Sequence, residues 1–490
     1  MQNDLNKKVA QAAKWSSITE IATKMISPIT NAILARILVP EAFGVVATLM
    51  MVITFAEIFT DAGFQKYLVQ REFKDEDDLN LSTNVAFWTN IIFSALVWAI
   101  IAVYATPIAK MVGSEGYELA IIVISAEIPL LAFSSIQMAR YRRDFNFKNL
   151  FVARIAVAVV PLVVTVPLAL YFHSHWALVI GTLAKDLLNA VVLTVKSRWK
   201  PSFRYSFDKL KQMLSFSLWT IVENVSIWLS MNVGTFAVST LFGAYYLGLF
   251  KTTVTIINSC FSILSYTVTP VLFAALSRCQ NDDIEYRGIF FKFQRMAALL
   301  ALPLGFGLFT YREMATMILL GAQWTETADF VGMTALKCAL VFVFSNFNSE
   351  AFRSKGKPIL SVLAQVIYLI ALVPALYLGA LIDYTTLTIS STLASGILIV
   401  ATFVISHIVL KISIVAVLKN VLPSLLSSVI MAVAGWWLRT LMTGVIWELA
   451  TIVLCVFVYA GCMLLLPSGR RQLAEIPILK KLLPLEETSK

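Results

Sequence analysis

Charge is scarce in this 490-residue sequence: Asp, Glu, Lys and Arg make up 14% of it, against roughly a quarter in soluble domains. With 59% hydrophobic residues and a mean hydropathy of +0.79, there is too little polar surface to clothe a water-soluble fold. Histidine is scarcer still. The three present are His173 and His175, which flank a turn, and His407, so no HExxH zinc site can be built. The five cysteines, Cys260, Cys279, Cys338, Cys455 and Cys462, form no CxxC and have no histidine at ligand spacing. They read as buried apolar filler rather than a metal or disulfide framework. GxSxG and Walker motifs are also missing, and the polar segments are too short for a soluble catalytic or ATPase domain. These absences point away from an enzyme and imply neither metal nor cofactor.

What the chain does have is apolar blocks of about 20 residues, long enough to cross a ~30 Å hydrocarbon core as helix. The runs are continuous rather than alternating, which excludes a β-barrel. The expected class is an all-α polytopic membrane protein. About fourteen spans are expected, at 13–38, 43–66, 82–107, 117–138, 149–172, 175–196, 213–241, 247–276, 289–310, 327–350, 359–381, 387–410, 421–442 and 444–466. The stretch 311–326 is apolar but short and reads as a half-buried outer loop. Residues 1–10 are polar and the first apolar stretch is of span length, so no cleavable signal peptide is expected.

The positive charges fix an orientation. If both termini are cytoplasmic, about thirty Lys and Arg fall on inner segments, and four (Arg36, Lys110, Arg312 and Arg439) fall outside. That asymmetry is the positive-inside signature. It accounts for the +10 net charge without invoking nucleic acid.

The chain also reads as duplicated. Trp15 precedes Gly44 by 29 residues and Trp219 precedes Gly248 by 29. The turns 38–44 and 241–248 match in character, and each half's fourth span ends in a basic loop, 140–143 and 353–357. The expected organisation is a six-helix lobe at 1–196, a cytoplasmic linker at 197–212 and a second six-helix lobe at 213–411. The lobes would be related by a pseudo-twofold axis along the membrane normal. Two additional spans at 412–466 and a cytoplasmic tail at 467–490 follow. Such repeats are a transporter signature.

Charges inside the membrane cost roughly 2.5–3.5 kcal/mol each on insertion scales, so each needs a partner or a cavity. The basic candidates are Lys24, Arg154, Lys185, Lys251 and Lys337; the acidic ones are Glu20, Glu57, Asp61, Glu127, Asp186, Glu223 and Glu448. Adjacent Lys185 and Asp186 read as satisfying each other or a neighbour. Glu20 and Lys24 share a helix face, and span seven carries Glu223, Asn224 and Asn232 at matching depth. A cavity presenting several cations suits a phosphate or another anion. Lys24, Arg154, Lys251, Lys337, Asn224 and Asn232 are therefore the candidate substrate-binding residues. Glu20, Asp61, Glu127 and Glu223 are candidates for ion coupling.

The stretch Ala35-Arg36-Ile37-Leu38-Val39-Pro40-Glu41-Ala42-Phe43-Gly44-Val45-Val46-Ala47 resembles the opening of the Wzx-type polysaccharide exporter family. The likeness continues through 59–64, 68–71 and the polar 73–78 segment that precedes Asn84-Val85-Ala86-Phe87-Trp88-Thr89-Asn90. Gly321-Ala322-Gln323-Trp324 and the 353–358 loop also fit, and the colanic-acid and teichuronic-acid exporter branch is the most similar. The resemblance implies the fold of the MOP superfamily, shared with lipid II flippases and MATE antiporters. It further implies flipping of undecaprenyl-diphosphate-linked oligosaccharide across the bacterial inner membrane, with polysaccharide polymerase or export machinery as candidate partners. A MATE-like, cation-coupled drug or metabolite antiporter is the alternative; five intramembrane basic residues sit poorly with organic-cation cargo.

Overall fold

The computed structural model describes Thr23 and residues 26–474, except 62, 63, 72, 145, 198, 358 and 443. Inside the helices, some side chains also lie outside the description, among them those at 61, 66, 147, 148, 214–224, 226, 227, 230 and 231. The regular elements among the described residues are all helices, with no strand. Twelve helices among them are long and apolar enough to span a bilayer, which makes this a multi-pass membrane protein. By internal contacts the chain divides into Met1–Thr252 and Thr253–Lys490.

In the first unit, α1 (26–37) leads into α2 (Pro40–Asp61), the short α3 (Phe64–Gln70), α4 (Glu76–Val103), α5 (Ala105–Met111), α6 (Glu118–Ile124) and α7 (Glu127–Arg143). α8 (Phe147–Val160) and α9 (Val166–Phe172) form one span interrupted by a π-turn at Pro161–Thr165, and α10 is His175–Lys196. The π-turn has a sequence cause: Pro161 has no N–H to give to the ladder. Much of the first expected span, including Trp15, lies outside the described residues.

The spans begin where polar residues cap them. Asp75 accepts the Asp78 N–H at 2.7 Å, and Glu76, Asp77 and Asp78 fill the acidic first turn of α4. That start lies six residues before the apolar run, because a helix continues into water when its first turn is capped and complements the dipole. The core follows from the apolar faces: Leu49 and Ile53 of α2 pack with Ile121 and Ile124 of α6, Ile128 of α7 and Val179 of α10, all essentially buried. The linker is strapped down. Ser202 exchanges hydrogen bonds with the Asn84 side chain at 2.7 and 3.0 Å, and Trp88 Nε1 donates to the Ser202 carbonyl at 2.8 Å.

The seventh and eighth expected spans lie in one long element, α11 (Phe207–Arg278), broken at Gly243, whose φ of 81° and ψ of −175° suit glycine. Just beyond that break the two matched turn sequences meet. A Cβ on Gly44 would sit 1.6 Å from the Ala244 carbonyl oxygen, and one on Gly248 would sit 1.8 Å from the Pro40 carbonyl oxygen. The crossing is thus reciprocal, and backbone meets backbone because neither position carries a side chain. Thr48 and Ser239 hydroxyls, 3.1 Å apart, and the Ser239 hydroxyl donated to the Val112 carbonyl extend the contact.

The second unit continues with α12 (Asp283–Thr310), α13 (Arg312–Leu319), a 3₁₀ turn at Ala322–Thr327 and α14 (Ala328–Val341). A second π-turn at Phe342–Asn346 leads into α15 (Phe347–Ser354); α16 (Ile359–Ala380), α17 (Tyr384–Leu410), α18 (Ile414–Leu441), α19 (Val445–Leu465) and α20 (Pro467–Ala474) follow. The expected loop at 311–326 is therefore largely helical. One face turns inward, with Met314, Ala315, Leu320 and Trp324 buried, while Met317 and Ile318 stay exposed, and Arg312 pairs with Asp329 at 2.5 Å. At the same end Arg439 donates to the Thr310 carbonyl at 2.8 Å and pairs with Glu313 at 2.8 Å and Glu448 at 3.4 Å. One guanidinium thus ties α12, α13, α18 and α19.

Candidate functional site

Each unit holds a polar cavity among its spans. In the first unit it has a volume of about 350 Å³. α2 contributes Thr54 and Glu57, one turn apart; α4 contributes Asn90; α7 contributes Ser134 and Ser135. Asn90 donates to the Ser135 hydroxyl at 3.0 Å, while its own Oδ1 is buried without a hydrogen-bond partner. α11 reaches the same wall: Trp228 Nε1 donates to Thr54 Oγ1 at 3.1 Å, and the Trp228 ring lies 4.8 Å from that of Phe55. Asn232, one turn further along, donates to the Trp228 carbonyl at 3.1 Å.

Close by, Glu127 at the start of α7 and Asp186 within α10 are 2% and 4% exposed. They share one cation: Lys185 Nζ lies 3.9 Å from Glu127 Oε1 and 3.5 Å from Asp186 Oδ1. Lys185 and Asp186 thus do pair, as their adjacency suggests. That pairing also takes in Glu127 from another helix, which one-dimensional spacing does not reveal.

In the second unit a cavity of about 360 Å³ surrounds Lys337 of α14. Asn258, Ser262 and Ser265 of α11, Tyr368 of α16, Ser395 of α17 and Asn346 of the π-turn line it. Cys338 Sγ donates to Asn258 Oδ1 at 3.3 Å. The ion pairs found in this unit among the described residues join Arg312, Arg353, Lys355 and Arg439 to carboxylates, and none includes Lys337. Its ammonium therefore faces neutral donors and acceptors, which is a setting for an anionic group. The π-turn at Phe342–Asn346 widens the helix where both residues line this space, a common use of such turns. Sequence reading found Lys337 but not its surroundings. The 258, 262 and 265 spacing, i, i+4, i+7, marks one polar face of an apolar helix and was the available signal.

A third space in the second unit is an apolar groove of about 660 Å³ along α12, α13, α18 and α19, with Leu300, Leu304, Ile318, Met431 and Val456 on its walls. Its two phenols are internally engaged: Tyr459 donates to the Leu299 carbonyl at 3.0 Å, and Tyr311 lies 3.4 Å from Cys455 Sγ. No Asp, Glu, Lys or Arg lines the groove.

The remaining expected site residues are dispersed or beyond description. Arg154 sits half-buried on α8 with an interaction of its own, and Lys251 sits half-buried on α11 in the first unit. Glu20 and Lys24 lie outside the described residues, as do the side chains of Asp61, Glu223 and Asn224.

A family model described as "Polysaccharide biosynthesis protein" matches residues 33–329. The succinoglycan biosynthesis transport protein ExoT of Rhizobium meliloti is 24% identical over 70% of this chain and 68% of its own length. The lipopolysaccharide biosynthesis protein WzxC of Escherichia coli is 20% identical over 73% and 70%. The teichuronic acid biosynthesis protein TuaB of Bacillus subtilis is 23% identical over 72% of each chain. Among solved structures, the lipid II flippase MurJ in an inward closed conformation superposes with a TM-score of 0.73 at 13% identity, over 91% of this chain and 97% of that one. An inward-facing multidrug resistance MATE transporter of the MOP superfamily gives 0.62 at 13% identity, over 82% and 99%. These likenesses show a shared fold.

Proposed function

The chain belongs to the polysaccharide biosynthesis protein family, and from that premise we propose that it flips undecaprenyl-diphosphate-linked oligosaccharide from the cytoplasmic to the outer leaflet of the bacterial inner membrane. Both termini lie in the cytoplasm, as the distribution of positive charge supports. The two six-helix halves, 1–196 and 213–411, open alternately to either side. No bond is made or broken. The names of ExoT, WzxC and TuaB, each tied to surface-polysaccharide biosynthesis or transport, favour this cargo.

One observation carries the reading: a single unit offers both an uncharged apolar groove and a polar cavity with an unpaired cation. A polyprenyl-linked sugar needs both. Its tail is at home against hydrocarbon, while its diphosphate and sugars cross unaided only at a cost of roughly 2.5–3.5 kcal/mol per charge or more. Lys337 meets the anionic linkage as a point charge. We propose Lys24, Arg154, Lys251, Asn224 and Asn232 as further substrate contacts, and Glu20, Asp61, Glu127 and Glu223 as the candidates for ion coupling.

The test is deletion in the native host, with lipid-linked repeat units quantified on each leaflet and surface polymer measured alongside. Accumulation on the cytoplasmic side with loss of surface polymer is the expected result. Unchanged pools in a strain with no second exporter, together with coupled efflux of an organic-cation dye, would favour the antiporter reading.

A further inference from the structure

The first unit contains a charge sum that its ion pairs leave open. Glu127 and Asp186 bring two carboxylates to the single ammonium of Lys185, at 3.9 and 3.5 Å. The sum is −1, and it is held away from solvent, since Glu127 is 2% and Asp186 4% exposed. Each carboxylate has one oxygen engaged by Lys185. The second oxygens, Glu127 Oε2 and Asp186 Oδ2, are buried and have no hydrogen-bond partner.

Among the described residues, no ion pair other than those with Lys185 reaches either carboxylate. From α2, Glu57 is the nearby acid, and it has an interaction of its own. From α10 come Lys185 and Asp186 themselves. The charged residues of α4 that are nearest α7, Glu76 and Asp78, engage Arg140 and Lys209 at the other end of these helices. Arg154 of α8 has an interaction of its own. An uncompensated charge in a low-dielectric interior costs several kcal/mol, and two orphaned carboxylate oxygens add the cost of lost hydrogen bonds. One positive charge on the free oxygens removes both costs.

We infer that Glu127 and Asp186, braced by Lys185, form a binding site for one exchangeable monovalent positive charge, a proton or an alkali cation. The polar cavity bordered by Glu57 and Asn90 supplies the route to it. That cavity is lined by Leu131, one turn from Glu127 on α7. Asn90 Oδ1, also unpartnered, points to the same need for donors or cations here. With a proton as occupant, one carboxyl gains the O–H and donates it toward the other's free oxygen; no other bond changes. With an alkali cation, the two free oxygens ligate it directly. A divalent metal is a poorer fit. Hard divalent ions gather about six oxygens, and no group of three or more His, Cys, Asp or Glu is placed to hold a metal among the described residues. The inference deepens the transport reading, since a charge loaded here is available to drive the cycle. Occupancy, however, is measurable without substrate.

The full-length protein in nanodiscs of neutral lipid gives the test. One arm varies pH in choline salt; the other replaces choline by Na⁺ or K⁺ at fixed pH. Thermal unfolding and the infrared carboxyl stretch are followed in both. A proton site shows a protonated-carboxyl band in wild type that Glu127→Gln and Asp186→Asn each remove. An alkali site shows a midpoint rise on the order of a few degrees with Na⁺ or K⁺, abolished in the same two variants. Glu115→Gln, at an exposed position, responds like wild type. A wild type with neither the band nor an alkali response overturns the inference, even if neither variant folds. So does a response that survives in both variants. No cargo enters this experiment, so its failure leaves the flipping reading standing, and a failed deletion phenotype leaves this site standing.

Discussion

The two units solve the same problem, polar groups inside a membrane, with opposite chemistry. The first gathers acids: Glu57 beside its cavity, and Glu127 with Asp186 around one lysine. The second leaves one base, Lys337, among neutral hydroxyls and amides. They are also tied differently. The first is drawn together by backbone contact at Gly44 and Gly248, the second by the Arg439 ion network. A buried acid cluster with one counter-ion and a half-buried base with none are both costly in hydrocarbon, so each is more economically read as a place for a missing charge than as packing. The signs are complementary: the inferred site in the first unit is for a cation, the proposed one in the second for an anion.

Reversing the second unit's sign tests that contrast most severely. Lys337→Glu is expected to cut export by about 100-fold or more, through loss of the cation and a new carboxylate with no counter-ion in the cavity. Leaflet-resolved lipid-linked oligosaccharide is the measurement, and near-normal export would erase the proposed division. Next is the tie of the first unit: Gly44→Ala is expected to destabilise by about 3 kcal/mol, as overpacking against a carbonyl cannot be relieved by a rotamer change. Thermal unfolding in detergent reads this, and an unchanged midpoint would mean that the helices cross more loosely. Removing the base without reversing it, Lys337→Met, should lower export by about tenfold while leaving the unfolding midpoint unchanged or raised. In the second unit's tie, Arg439→Ala should cost about 1–2 kcal/mol, less than the glycine change, because half of that network is solvated. The smallest effect is at the cap of α17. Hydrogen bonds from Thr386 hold the Asp383 carboxyl below the usual carboxylate range. Its contribution is therefore present above about pH 3.9 and lost as pH falls through the lower folded value. Asp383→Asn should flatten the acid limb of the unfolding profile slightly, without shifting it at neutral pH.

Much of the scaffold was legible because hydrocarbon imposes a length. The expected 149–172 and 175–196 coincide with the helices Asn149–Phe172 and His175–Lys196. Hydropathy failed where a helix leaves hydrocarbon, as at Glu76–Asp78, and where an apolar run is too short to span but folds inward, as at Met314–Leu320. The break at Gly243 falls within the turn at 241–248 that the sequence places between the seventh and eighth spans. The site was half legible. Glu127 and Lys337 stood out because charge in an apolar run is rare. Their neighbours did not, since which face of α10 meets α7, or which of α11 meets α14, depends on packing that adjacency in sequence does not encode. In sequence Lys185 and Asp186 read as satisfying each other or a neighbour, and in space that lysine serves two acids.

The reciprocal crossing at Gly44 and Gly248 bears on how this chain can change over time. At most tight contacts a larger residue on one side can be rescued by a smaller one opposite. Here a Cβ on Gly44 would strike the Ala244 carbonyl and one on Gly248 the Pro40 carbonyl, backbone atoms that every residue carries, and the two crossing positions are already glycine. No smaller residue exists, so a local second-site suppressor has nothing to remove. Revertants of a Gly44 or Gly248 substitution should therefore be true reversions, or changes far enough away to re-space the whole helix pair.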